Sequence, residues 1–369
     1  LLVIEMTINS NKQIETRKKE GIDLALQNIQ AKNVSTLFEC VHLIHNALPE
    51  LNLSDIDTST KFLGHDFQIP ILVDSMTGGT PAALKINTRL AQVAEQFNIG
   101  MGVGSQRAGL LSSRLASTFK IVRKNAPNAF IFSNIGGAQL AEGLKTSSIR
   151  ALIDMIDADA LAIHLNPLQE LVQPEGEPNF RGILKRIHEL SKDLKIPIIV
   201  KEVGSGISPQ VAVKLQKNNI NAINVAGVGG TSWAGIEQKR AIQANLSSKI
   251  NMGLLLWDWG IPTAASLLLA KKSVKLPLVS SGGMRNGLDL AKSIILGASM
   301  GAYAQPMIKF ASQSYNSLTQ FVEDLHFQLK SIMFLVGAQN IKQLKSKEYV
   351  ITEPLTSWIY QISGKNDKK

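Results

Sequence analysis

Ile69-Pro70-Ile71-Leu72-Val73-Asp74-Ser75-Met76-Thr77-Gly78-Gly79 runs from an unbroken apolar stretch into a polar turn closed by two glycines. Apolar residues at successive positions, not alternate ones, mark a strand buried on both faces, as in a parallel sheet covered by helices. Residues 81–97 then carry helical spacing, completing one strand-then-helix unit. An open doubly wound sheet would place Gly-x-Gly-x-x-Gly directly after its first strand. The residues after Val73 do not supply it.

The same unit recurs outward from this point. Apolar segments fall at 99–104, 129–132, 160–165, 197–202, 222–225, 276–280 and 299–304. Helical spacing separates them at 112–125, 146–157, 180–194, 208–218, 261–272 and 287–296. Eight such units point to an α/β fold, a (β/α)8 TIM barrel, with its functional loops at the C-terminal ends of the strands. Helical segments after residue 307 complete the barrel or build a subunit contact. On this reading residues 69–369 form the barrel and residues 1–68 an N-terminal extension. Residues 1–16 are polar and expected to be mobile, Arg17-Lys18-Lys19-Glu20 leads into helical spacing over 21–32, and 33–66 reads as an irregular lead-in. His42 and His45 have no third ligand near them in sequence, which argues against a metal site there.

Composition narrows the partners. A chain of 369 residues, 44% of them hydrophobic, can bury a large core, and a net charge of +10 favours an anionic partner. Basic residues are not gathered in one run and aromatics are only 5%, so a phosphorylated small molecule is a better fit than nucleic acid. Cys40 is the single cysteine, which excludes an intrachain disulfide and a cysteine zinc site and suits the cytoplasm. The opening Leu1-Leu2-Val3-Ile4 is too short for a signal-peptide core, and no apolar run nears the ~18 residues of a membrane span.

Chemistry gathers after the fourth strand, in Ala160-Leu161-Ala162-Ile163-His164-Leu165-Asn166-Pro167-Leu168-Gln169-Glu170. Residues two apart share a strand face, so His164 and Asn166 point the same way. Pro167 cannot continue a central ladder, which puts Gln169 and Glu170 on the loop beyond. A lone histidine here would read equally well as structural; an imidazole, two amides and a carboxylate together read as a site.

Two glycine turns suggest a phosphate. Ser281-Gly282-Gly283-Met284-Arg285-Asn286-Gly287 opens the seventh barrel helix, and Gly229-Gly230-Thr231-Ser232 lies on the preceding unit. Such turns present N–H groups to an anion, although glycines also end strands for structural reasons. Barrels often hold phosphate between the loops after strands seven and eight, here this turn plus Ala304-Gln305. Lys201, at the end of strand five and aligned with Ile199, needs an anion or an electron-rich ring if it is buried. The alternative is an internal ion pair with Glu202 or Glu170. Lysine, phosphate turn, Ser75-Met76-Thr77 and Asn134 together describe a cradle for flavin mononucleotide (FMN).

With these blocks in order from residue 17 to about 306, the sequence resembles the type 2 isopentenyl-diphosphate isomerases, which use FMN. The resemblance rests on Arg17-Lys18, Ser75 to Gly79, Gly104-Ser105-Gln106-Arg107, Asn134-Ile135-Gly136, His164 to Asn166 with Gln169-Glu170, and Val200-Lys201-Glu202. Gly229 to Trp233 with Glu237, Asp258 to Thr263 and Ser281 to Arg285 extend it. It implies FMN held by Ser75, Met76, Thr77, Ser105, Asn134, Lys201, Thr231, Gly282, Gly283, Ala304 and Gln305. It implies substrate diphosphate held by Arg17, Lys18, Ser105, Arg107, His164 and Asn166, Glu170 as a Mg2+ ligand, and Gln169 at the allylic end. The implied reaction interconverts isopentenyl and dimethylallyl diphosphate by adding one proton and removing another, on flavin reduced by NADPH or a similar donor. Reduced flavin would exchange the proton with its charge held by Lys201, or a protein acid, Glu237 or Gln169, would do so. A cytoplasmic homo-oligomer, tetramer or octamer, is also implied.

One departure stands out: the family usually has an acidic residue and then His after its Arg-Lys, whereas here Glu20 precedes Gly21. Two other readings remain. An FMN-dependent 2-hydroxy-acid oxidase or dehydrogenase would need a His base beside an Arg near strand seven, and Leu278 to Gly287 contains Arg285 but no His. A non-enzymatic FMN or phosphate scaffold would not need the polar set at 164–170.

Overall fold

The computed structural model describes residues 15–18 and 20–363. Barrel strands one to eight are Ile71–Val73, Gly100–Gly102, Ile131–Gly136, Ala160–His164, Ile198–Lys201, Ala222–Asn224, Leu278–Ser280 and Met300–Tyr303. All neighbours are parallel and in chain order, and strand eight closes on strand one with Ala302 opposite Leu72. The expected barrel is thus observed, with seven strands inside their expected segments and the third, Ile131–Gly136, running four residues past the expected 129–132.

Strand parity divides the core. Leu72, Phe132, Ala160, Ala162, Ile199, Ala222, Val279, Met300 and Ala302 belong to the cluster that fills the barrel. Their neighbours Ile71, Val73, Leu161, Ile163, Val200 and Leu278 join the larger cluster shared with the helices. Gly102 in strand two makes room inside, since a Cβ there would sit 2.1 Å from the Phe132 ring. Following the inner parity toward the strand tips brings Asp74, Asn134, His164, Lys201, Asn224 and Ser281 onto the inner side of one mouth.

Several elements differ from the sequence reading. Residues 15–18 and 20–26 are helical, so the helix begins earlier than the expected 21–32 and ends sooner. Asn28 takes a left-handed φ of 58°, a conformation asparagine tolerates and one that stops a helix. The expected mobility of 1–16 lies largely outside the described residues; 15 and 16 are helical. The lead-in is more ordered than expected. Thr60–Phe62 and His65–Phe67 form a hairpin whose phenylalanines meet Phe130 edge-on, closing the barrel floor. Val41–Leu43 pairs with Tyr349–Ile351, tying the lead-in to the C-terminal segment. Gln169 and Glu170 sit on a short helix, Pro167–Val172, not on a loop, because proline is well placed at a first helical turn. Among the described residues no helix is long and apolar enough to cross a membrane.

Candidate active site

The mouth holds two connected lobes. The larger encloses about 210 Å3 and the smaller about 80 Å3. Ser75, Met76, Lys201, Val203 and Trp233 line both. Arg17, Lys18, Ser105, Arg107, Asn134, His164, Asn166, Gln169, Glu170 and Glu237 line the larger lobe. Thr231, Gly282, Gly283, Ala304 and Gln305 line the smaller one. Residues from eight strand ends and the N-terminal helix therefore meet at one place. Thr77 lines neither lobe: its hydroxyl donates to Asn87 Oδ1, and its carbonyl accepts from Gly104 at 2.7 Å.

The N-terminal helix inserts cations into the larger lobe. Lys18 Nζ donates to the carbonyls of Ser105 at 2.6 Å and Gly78 at 3.1 Å. Burial, aided by the Arg17 charge, lowers the Lys18 ammonium to about 7. Arg107 reaches out to Glu142 at 3.3 Å. Gly21 lines this lobe, and a Cβ there would meet nothing within 4 Å.

Opposite these cations, His164 Nδ1 lies 2.9 Å from Asn134 Oδ1. Burial first, then the charges of Lys201, Lys18 and Arg17, push the imidazole down to about 3. It is neutral at physiological pH. Gln106, fully buried, accepts from the Asn134 N–H at 3.2 Å and fixes that strand tip. Asn166 donates to Gln169 at 3.2 Å and Glu170 at 3.1 Å, while its own Oδ1 is buried and unpartnered.

Gln169 Nε2 donates to Glu237 Oε1 at 2.8 Å. Burial raises the Glu237 carboxyl, against the pull of Arg240 and Gln169. Glu170 Oε2 accepts from Gln173 at 2.9 Å and from the Glu177 N–H at 3.1 Å. Among the described residues no group of three or more His, Cys, Asp or Glu side chains is arranged to hold a metal by itself.

Lys201 is paired, but not with either carboxylate named from the sequence. Its Nζ donates to the Glu202 carbonyl at 2.8 Å and lies 3.6 Å from Asp74. The Glu202 carboxylate instead accepts the N–H groups of Val203, at 2.6 Å, Gly204 and Ser205. Burial still pushes it up to about 7. Asp74 is held in turn by Asn224 at 3.2 Å, and Asn224 by the Ser281 hydroxyl at 2.6 Å. This chain of side chains was missed in the sequence. The signal was there: Asp74, Asn224 and Ser281 each lie two residues beyond an inward apolar position.

The smaller lobe has a backbone wall. Gly282 and Gly283 have φ of 94° and 77°, and Cβ atoms there would fall 2.1 Å from Gly227 O and 2.5 Å from Gly229 O. Only glycine fits such an approach. Ser75 Oγ, lining both lobes, is buried without a partner. A glycine cradle, an unpartnered hydroxyl and a buried ammonium suit a polar ring with an anionic tail.

Fold and site together define a barrel of the FMN-dependent dehydrogenase class. The sequence profile described as FMN-dependent dehydrogenase matches residues 163–351. A lactate oxidase from Pediococcus acidilactici superposes with a TM-score of 0.61 at 14% identity, covering 91% of this chain and 94% of that one. A flavocytochrome b2 mutant with pyruvate bound gives 0.65 at 16%, covering 91% and 84%. These two likenesses concern the fold. More specifically, the chain belongs to the isopentenyl-diphosphate delta-isomerase family. The enzyme of that name from Methanosarcina mazei is 45% identical over 337 residues, 91% of this chain and 92% of its own. That from Sulfurisphaera tokodaii is 43% identical over 352 residues, 95% of each.

Proposed function

We propose that the protein interconverts isopentenyl diphosphate and dimethylallyl diphosphate. One observation carries the reading: a lobe lined by Arg17, Lys18 and Arg107 opens beside the glycine-walled lobe, with Lys201 between them. The guanidinium and ammonium groups, with Ser105, His164 and Asn166, would hold the diphosphate. Ser75, Met76, Ser105, Asn134, Thr231, Gly282, Gly283, Ala304 and Gln305 would hold FMN, with Thr77 contributing by its backbone. When bound and reduced, by NADPH or a similar donor, FMN supplies proton-exchange chemistry at the alkene without net redox change.

The chain's own residues do the rest. Lys201, kept in place by Asp74, offers a fixed positive charge to an electron-rich ring. Gln169 and Glu237 stand at the reacting end of the substrate, where Glu237 can hold or release a proton at Oε1 and Gln169 orients it. Glu170 would ligate Mg2+ together with diphosphate oxygens and water, as this ion usually does. Met76, Val203 and Trp233 keep that region apolar and shield a cationic transition state.

The hydroxy-acid oxidase reading gains nothing from the geometry. Arg285 is engaged with the Gln30 side chain, and among the described residues His164 is the one histidine lining either lobe. We place the protein in the cytoplasm as a tetramer or octamer; Leu254, Leu255 and Trp259, each more than half exposed, are apolar surface that a subunit contact would cover. The test is an anaerobic assay of the FMN-loaded protein with isopentenyl diphosphate, Mg2+ and NADPH. Dimethylallyl product is expected, and its absence with FMN bound and reduced would defeat the proposal.

A further inference from the structure

Arg240 has a buried side chain, 8% exposed, and bonds to carboxylates from three separate segments. Nη1 donates to Glu237 Oε2 at 2.7 Å, one turn back on the same helix, Trp233–Gln243. Nη1 and Nη2 take both oxygens of Glu175, after the fourth barrel strand, at 3.2 and 2.7 Å. Nε donates to Glu20 Oε2, on the N-terminal helix, at 3.0 Å.

Each of these partners bears on the lobe, which Glu175 and Glu237 themselves line. Glu237 uses its other oxygen to accept from Gln169. Glu20 lies two residues after Lys18, and Arg17 and Lys18 both line the cavity. A planar guanidinium with several directed bonds fixes its acceptors relative to one another, which a lysine cannot do. One cation set among three carboxylates also leaves them competing for it.

We propose that Arg240 is a positioning residue that joins the seating of the N-terminal helix to the charge state of Glu237. The guanidinium that holds Glu20, and so the helix carrying the diphosphate-binding cations, also orients the proton-handling carboxylate. The inference rests on the function proposed above for Glu237.

The electrostatic signs are opposite for the two ends of the joint. The groups facing Glu237 are Arg240 on its own helix, Gln169 on Pro167–Val172 and Glu175 beyond it, with Arg17, Lys18, Arg107, Glu142, His164, Glu170, Glu177 and Lys201 lining the same lobe. Removing the Glu20 charge leaves Arg240 more available to the Glu237 anion, which therefore forms at lower pH. Replacing Arg240 by lysine removes the directed bond to Glu237, whose anion then forms at higher pH. A purely structural contact would not move the two in opposite directions.

The experiment compares wild type, Glu20→Gln and Arg240→Lys, all FMN-loaded. In Glu20→Gln, KM for isopentenyl diphosphate should rise at least fivefold and by more than kcat falls. The arm of its kcat–pH profile that reports Glu237 should move to lower pH, and that of Arg240→Lys to higher pH. Hydrogen exchange, read without turnover, should quicken at least tenfold in residues 20–26 of both variants. Equal or same-direction pH shifts, or unchanged exchange, would overturn the proposal. An inactive wild type would defeat the assigned reaction instead, and exchange would then decide the joint alone.

Discussion

Lys201 Nζ lies 3.6 Å from Asp74 Oδ1, and each side chain is only 5% exposed. The pair joins the tips of barrel strands five and one, and Lys201 lines the same lobe as Arg17, Lys18 and Arg107. Asn224 and Ser281 extend it to strands six and seven, so four strand ends share one buried polar chain. The cation that faces the cofactor lobe is thereby held in place before any ligand arrives.

Breaking one side of this pair should be costly. Removing one partner of a buried ion pair typically destabilises by about 3–5 kcal/mol, because the other charge is left stranded. Asp74→Asn should therefore lower the unfolding free energy by about 3 kcal/mol in urea denaturation of the FMN-loaded protein. The double variant Asp74→Asn with Lys201→Met should recover part of that loss. Equal stability of Asp74→Asn and wild type would show that the pair is not coupled.

His164 should not titrate in the free protein between pH 5 and 8. Its ring is pushed down to about 3 by burial and three neighbouring cations. The depressed value means that the unfolded chain binds the proton first, so this residue withdraws stability as pH falls below about 6.5. Histidine NMR shifts followed from pH 8 to 5 should leave His164 unmoved. A His164 midpoint near 6.5 would contradict the burial argument.

Lys18 should behave oppositely to an ordinary lysine. With its ammonium lowered to about 7, roughly half is neutral at that pH in the free protein. An arriving diphosphate favours the charged form, so binding should take up a proton and weaken by up to about 1.4 kcal/mol per pH unit above 7. Calorimetry of substrate binding in two buffers of different ionisation enthalpy reads that uptake directly. Lys18→Arg should abolish the uptake, and persistence of uptake in that variant would place the proton elsewhere.

The barrel was legible in the sequence because strands buried on both faces leave continuous apolar runs, as at 71–73 and 198–200. The mouth was partly legible for a related reason: strand parity carries Leu72 to Asp74 and Ile199 to Lys201. What parity could not supply was pairing across the barrel. Glu202 and Glu170 were nearer candidates for Lys201 in sequence, yet Glu202 is taken up by three backbone N–H groups. Thr77 shows the same limit, since its role as a core hydrogen-bond partner depends on Asn87 of the following helix. Arg240 gave a weaker signal still, lying three residues after Glu237 while two of its three partners come from distant segments.

Glu170 should set the response to magnesium. It offers a carboxylate whose oxygens already accept from Asn166, Gln173 and Glu177, so the side chain is preoriented toward the lobe. Glu170→Gln keeps the shape and removes the charge. The Mg2+ concentration for half-maximal turnover should rise at least tenfold, with FMN affinity unchanged. An unaltered Mg2+ dependence would show that the ion is held by other groups.

The account stands or falls on two lobes serving one reaction. The direct measurement is anaerobic turnover of isopentenyl diphosphate by the FMN-loaded, reduced protein in deuterated water, followed by NMR. The account predicts dimethylallyl diphosphate carrying solvent deuterium, with no net oxidation of the flavin. Bound, reduced FMN together with unchanged, unlabelled isopentenyl diphosphate would contradict it.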